Sequence, residues 1–170
     1  MMKILLVVAF FMSSLWAVNV GETPKSVTIE GDDGGLVAGG AWNSSMLSGK
    51  VHVLFYVDPD EKDTNEAFSN ALKEAAFDRN KYASVAIVNL AATWKPNVVI
   101  EALLESKQKK FPHAIYVKDK NKVLVREWDL KDDSSDILVF DKSGKVLYSK
   151  AGKLDKAEIA KVLSLIKESL

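Results

Sequence analysis

The chain has 170 residues, 48% of them hydrophobic and 27% charged, with 23 basic and 23 acidic side chains and no cysteine. That composition suits a globular protein with a core of its own and excludes wholesale disorder. The charge balance gives no global attraction to nucleic acid or to an anionic membrane, and without cysteine neither a disulfide framework nor thiolate chemistry is available.

In chain order, Lys3 precedes an unbroken apolar run, Ile4 to Met12, and Ser13-Ser14-Leu15-Trp16-Ala17 follows as a cleavage region. The pattern reads as a secretory signal peptide over residues 1–17, cut after Ala17, with 18–170 as a single domain. The run is shorter than the about 20 residues a membrane span needs, so no stable membrane insertion is expected after cleavage.

Val27–Ile29 predicts a short strand, Gly31–Gly35 a turn, and Leu36-Val37 a returning strand. Trp42–Leu47 predicts a helical turn capped by Asn43 or Ser44. Val51–Val57 is β-branched, aromatic and nearly all apolar, which predicts a central strand buried on both faces; its one polar member, His52, reads as a core or edge histidine. Pro59 ends that strand. Asp63, with Glu66 three residues on, predicts a capping box for a helix whose inner face is Phe68, Ala71, Leu72 and Ala75. Val85–Leu90 is a second buried strand. Asn97 is placed to cap a helix running to about Lys110, with Val99, Ile100, Leu103 and Leu104 inward. Ala114–Val117 and Val123–Val125 predict strands around an Asp119-Lys120-Asn121 turn. Ile137–Phe140 and Val146–Tyr148 predict a hairpin with Gly144 at a positive φ. Leu154, Asp155 and Glu158 predict a capped final helix with Ile159, Val162, Leu163 and Ile166 inward. Strands alternating with helices predict an α/β fold, a central mixed β-sheet flanked by helices.

Gly49-Lys50 ahead of Val51–Val57, Phe111-Pro112 ahead of the next strand, and Leu138 to Val146 resemble the entry strand, inserted segment and hairpin of exported thioredoxin-like proteins. More narrowly, Trp42-Asn43-Ser44 with Gly49-Lys50-Val51, then Ile87-Val88-Asn89, then Ser134-Ser135 ahead of Asp141-Lys142-Ser143-Gly144 resemble the YtfJ family of bacterial periplasmic proteins, from about Gly21 to the C-terminus. The resemblance implies a thioredoxin-like three-layer sandwich in the periplasm of a Gram-negative bacterium. It brings no activity with it. The redox CxxC of that fold would fall where this chain has Asp60-Glu61-Lys62-Asp63, and its cis-proline where the chain has Ser135. Disulfide exchange is therefore excluded.

Asp58, Asp60, Glu61 and Asp63 form the densest acidic group, but Pro59 interrupts it and it lacks the glycine and distal glutamate of a calcium loop. A second stretch carries Ser134, Ser135 and Asp136. In the expected fold the two loops lie side by side, so Asp58, Asp60, Asp63, Ser134, Ser135 and Asp136 are the candidate binding face. No catalytic residue, metal site or cofactor is assigned, because neither histidine sits in a triad or zinc pattern and no phosphate loop is present. The expected role is a non-redox binding or interaction module with another periplasmic protein as partner. The alternative is an enzyme using Asp60, Asp63 or Ser135 without cysteine.

Overall fold

The structure is a computed structural model that describes residues 18–170. The signal-peptide expectation for residues 1–17 lies outside the described residues.

Two strands, β1 (Thr28–Ile29) and β3 (Trp42–Asn43), pair antiparallel beside a six-stranded mixed sheet. That sheet comprises β2 (Gly34–Leu36), β4 (Val51–Val57), β5 (Tyr82–Asn89), β6 (Ile115–Asp119), β7 (Ser135–Phe140) and β8 (Val146–Ala151), in the order β2-β6-β5-β4-β7-β8. β4 lies inside it, parallel to β5 and antiparallel to β7, as its nearly all-apolar composition predicts. The helices are α1 (Glu66–Ala75), α2 (Asn97–Lys110), α3 (Val123–Trp128) and α4 (Lys156–Ser169).

Strand alternation sorts the core into layers. Val51, Val53, Ile137 and Val139 face α1 and α4, meeting Phe68, Leu72, Val162 and Ile166. Val88 and Leu90 continue this layer under Ile100 and Leu104 of α2. Leu54, Tyr56, Ile87 and Val117 face the other way, against Trp42, Leu124 and Trp128. Trp42 and Trp128 meet edge to face with ring centroids 6.3 Å apart.

Several local expectations are corrected. Val123–Val125 is not a strand but the start of α3. The Asp119 carboxylate accepts Val123 N at 2.9 Å and Leu124 N at 3.1 Å, so the first amides of α3 are satisfied from the end of β6. Leu36 does not return onto β1; β2 pairs with β6 instead, and β1 finds β3. Gly34 permits this: at φ 120° a Cβ would stand 2.1 Å from Lys118 O across the ladder. Asp63 does not cap α1, because the N-cap is Asn65, whose side chain is engaged elsewhere. Asn97 is the first residue of α2 rather than its cap; Pro96 holds that position, without a side-chain bond. Val99 and Leu103 are exposed, and only Ile100 and Leu104 of the expected α2 face are buried. Ala75 of the expected α1 face is exposed, and Phe68 and Leu72 are its buried residues. Three caps and turns are as expected. Asn43 accepts Ser45 N at 2.8 Å, Asp155 and Glu158 form a reciprocal capping box, and Gly144 has φ 82° in the β7–β8 turn.

Candidate functional site

The C-terminal ends of the parallel strands β4 and β5 and the start of antiparallel β7 converge on one edge of the sheet. In open α/β sheets that edge is where ligands bind. Asp58 follows β4, and its N–H donates to Ser134 O at 2.9 Å, so this rung joins the two loops singled out in the sequence. The Asp58 carboxylate is buried and accepts Asp60 N at 2.8 Å, capping the turn Pro59–Glu61. Burial, helped by the nearby Asp60 and Asp133 charges, raises its pKa above the usual carboxylate value.

Asp60 has the opposite environment. It accepts the Thr93 hydroxyl at 2.8 Å and pairs with the Lys95 ammonium, and the lysine, then the hydroxyl, hold its pKa down. Asp63 projects into solvent beside Lys62. Ser134 Oγ accepts Gly152 N at 3.2 Å. Ser135 and Asp136, adjacent in β7, point to opposite faces of the sheet, and both are buried. Ser135 Oγ accepts Asn65 Nδ2 at 3.0 Å on the α1 side. Asp136 Oδ2 accepts Lys131 N at 2.7 Å, whereas Oδ1 is buried with no hydrogen-bond partner; burial raises this carboxyl's pKa.

All peptide bonds of the described residues are trans, including that before Ser135. Among the described residues no three histidine or carboxylate side chains are grouped to hold a metal ion, and no helix is long and apolar enough to cross a membrane. His52 is buried in β4 with Nδ1 3.0 Å from Lys50 O, and burial lowers its pKa. No serine hydroxyl hydrogen-bonds a histidine among the described residues.

Two sets of residues at this edge escaped the sequence reading. The first is a polar layer on the α3 face. Tyr56 is level with Asp136 and Ile87, and Asn89 with Asp119, so alternation turns Tyr56, Asn89 and Asp119 to the same side as Asp136, which the sequence had singled out. Tyr56 OH donates to Asp119 Oδ2 at 3.0 Å, and Asn89 Nδ2 donates to Asp132 Oδ1 at 2.9 Å. Asp132 is ion-paired to Lys122 and raises its pKa, while Asn89 Oδ1 has no partner. Burial, reinforced by Asp119, pushes the Tyr56 phenol above its usual range, so it stays a donor. The signal in the sequence was the polar residue that closes β5, Asn89, and β6, Asp119. The second set is Asn65, which donates to Ser135 O, Ser135 Oγ and Gly152 O and accepts Leu154 N at 2.9 Å. It was hidden by the capping pattern at Asp63.

Two concavities lie elsewhere. One of about 530 Å³ separates α1 from α4 and is lined by Phe77, Leu163 and Lys167. Another, of about 270 Å³, is bordered by Ser26, Ser44 and Ser45 near Trp128.

Among solved structures the chain is similar to a putative protein disulfide isomerase from Bacteroides thetaiotaomicron, with TM-score 0.63 and 18% identity over 91% of this chain and 92% of that one. It is similar also to a putative thiol:disulfide interchange protein DsbE from Chlorobium tepidum, with TM-score 0.63 and 17% identity over 90% and 99%. At those identities the likeness establishes the fold, which is thioredoxin-like. In sequence the chain is 33% identical to the uncharacterized protein YtfJ of Escherichia coli (strain K12), over 76% of this chain and 72% of that protein. It is 31% identical to an uncharacterized protein of Haemophilus influenzae over 92% and 90%. Residues 20–169 match the family model described as bacterial protein of unknown function (YtfJ_HI0045). The chain therefore belongs to the YtfJ family, on a thioredoxin-like fold without cysteine.

Proposed function

We propose that this protein is exported to the periplasm of a Gram-negative bacterium, is cut after Ala17, and serves there as a non-redox binding or interaction module. The observation that carries the reading is the occupant of the fold's redox loop. The chain has no cysteine, and Asp60 in that loop is tied to Thr93 and Lys95 instead. The fold's usual thiolate nucleophile has no substitute of comparable chemistry there.

The face assigned to binding is the loop surface around Asp60 and Asp63, with Asp58 and Ser134 beneath it. Asp60 and Asp63 are exposed, whereas Ser135 and Asp136 are buried and support that surface from within. The alternative, an enzyme using Asp60, Asp63 or Ser135, is less well supported, because the Ser135 hydroxyl is held by Asn65 and has no base beside it.

The test has two arms. Cell fractionation with mass spectrometry of the natural N-terminus reads the export claim: a periplasmic protein beginning at Val18 agrees, and a cytoplasmic chain retaining Met1 overturns it. A screen of the purified protein against disulfide, ester and phosphoester substrates reads the second claim. No turnover above buffer is expected, and turnover abolished by Asp60→Asn or Ser135→Ala would favour the enzyme.

A further inference from the structure

The solvent face of α2 is apolar where a surface helix is ordinarily polar. Val98 is 73% exposed, Val99 50% and Leu103 57%, and Trp94, just before the helix, is 87% exposed. Helical spacing sets Val98, Val99, Ala102 and Leu103 together on the first half of this face, opposite the buried Ile100 and Leu104. The second half carries exposed Glu105 with Lys107, Lys109 and Lys110, an excess of positive charge. Lys107, Lys109 and Lys110 make no ion pair among the described residues, and Lys110 lies 5.4 Å from the centre of the exposed Phe111 ring. Contiguous exposed apolar side chains of this size mark an interaction surface.

The charges around this face say what covers it. The loop carrying Asp60, Glu61 and Asp63 stands at the Trp94 end, since Asp60 is bonded to Thr93 and Lys95; Asp60 and Asp63 are paired there with Lys95 and Lys62, which leaves Glu61 as the excess negative charge. The surface thus runs from acidic, through apolar, to basic along α2. Such a surface is complementary to its own copy turned end for end. We propose that α2 packs antiparallel against α2 of a second copy of this chain, around a two-fold axis near Ala102. At 1.5 Å rise per residue Lys110 lies about 12 Å from that axis along α2, and Trp94 lies beyond the other end of the helix, three residues before its first residue, Asn97. Lys110 then meets the Trp94 ring of the second copy, and Lys107 and Lys109 meet its Asp60–Asp63 loop. Ala102, the smallest side chain on the face, sits at the crossing and lets the helices approach. An anionic membrane is the poorer fit, because the acidic loop beside Trp94 would be repelled by it. The proposal is independent of the export claim, and it makes the second copy's lysines one occupant of the Asp60–Asp63 loop that the proposed function assigns to binding.

Sedimentation of the purified protein over a range of concentrations tests it, using the N-terminus that the natural protein carries. The wild-type chain is expected to form a dimer that weakens as salt rises. Leu103→Glu, at an exposed position, is expected to shift it to monomer by at least tenfold in dissociation constant, with unchanged circular dichroism. Lys109→Glu with Lys110→Glu is expected to weaken it as well. Adding Glu61→Lys and Asp63→Lys to that pair is expected to restore dimerisation. A monomer at every concentration, or a dimer indifferent to Leu103→Glu, overturns the proposal. So does a monomer that binds phosphatidylglycerol vesicles through Trp94, which would assign the same face to a membrane.

Discussion

Asp136 shows how one carboxyl can be placed against its own charge. One oxygen accepts Lys131 N, the other is buried with no partner, and desolvation raises the pKa. A folded-state pKa above the unfolded one means that the native state favours the protonated form. Stability from this group is therefore full at low pH and declines as pH rises from the unfolded value near 3.8 to the raised folded value. Asp58 has the same sign, from burial. Asp136→Asn removes the charge while keeping the shape and an acceptor for Lys131 N. At pH 7 it is expected to gain about 1 kcal/mol, read as a rise of roughly 2–4 °C in melting temperature. The gain should shrink toward zero as the melts are repeated down to pH 4. An unchanged or lower melting temperature at pH 7 would show that the ionised form has a partner.

Asn65 is the contrasting residue, buried with both polar atoms of its side chain used. It ties the start of α1 to the first residue of β7 and to the link between β8 and α4. Asn65→Ala leaves Leu154 N and Ser135 Oγ without that partner. The expected loss is about 2–4 kcal/mol in urea unfolding. A loss below about 1 kcal/mol would mean that water replaces the amide at no great cost.

Elements were legible where the pattern was local and ambiguous where it was not. β4 and α4 announce themselves, one by an apolar β-branched run and the other by a capping box ahead of an inward stripe. α3 did not, because Val123-Leu124-Val125 has strand composition and becomes helical through Asp119, four residues upstream on another element. That account is testable at the element scale. Asp119→Ala removes the acceptor for Val123 N, Leu124 N and Tyr56 OH together, and is expected to cost about 3 kcal/mol and to raise amide exchange over residues 123–128 first. Tyr56→Phe, which removes one of those bonds, is expected to cost about 1 kcal/mol. Equal losses in the two variants would show that the α3 amides do not depend on the carboxylate. α2 was misread differently. Four apolar positions suggested a wide inner face, but the helix offers the sheet only Ile100 and Leu104, and Val99 and Leu103 remain outside.

The whole molecule keeps the thioredoxin-like frame, and the loop after β4 is held by ion pairs and the Asp58 cap. The absence of cysteine was enough to exclude disulfide exchange from the sequence. Which polar residues stand together was not, because that depends on register: Tyr56 beside Asp136, and Asn89 beside Asp119, follow from strand pairings between segments up to about 80 residues apart. The candidate loops were legible as acidic and hydroxyl-rich stretches, yet only the fold separates exposed Asp60 and Asp63 from buried Ser135 and Asp136. On the proposed reading as a binding module, the protein acts through its exposed loop, which is accessible to chemistry in the living cell. The most direct measurement replaces Asp60 with a photo-crosslinking amino acid in the natural host, with Lys161 on the far side of α4 as the control position. A discrete crosslinked adduct at position 60 and none at 161 is the predicted result. No adduct at 60, or equal labelling at both positions, would contradict the assignment of this face to binding.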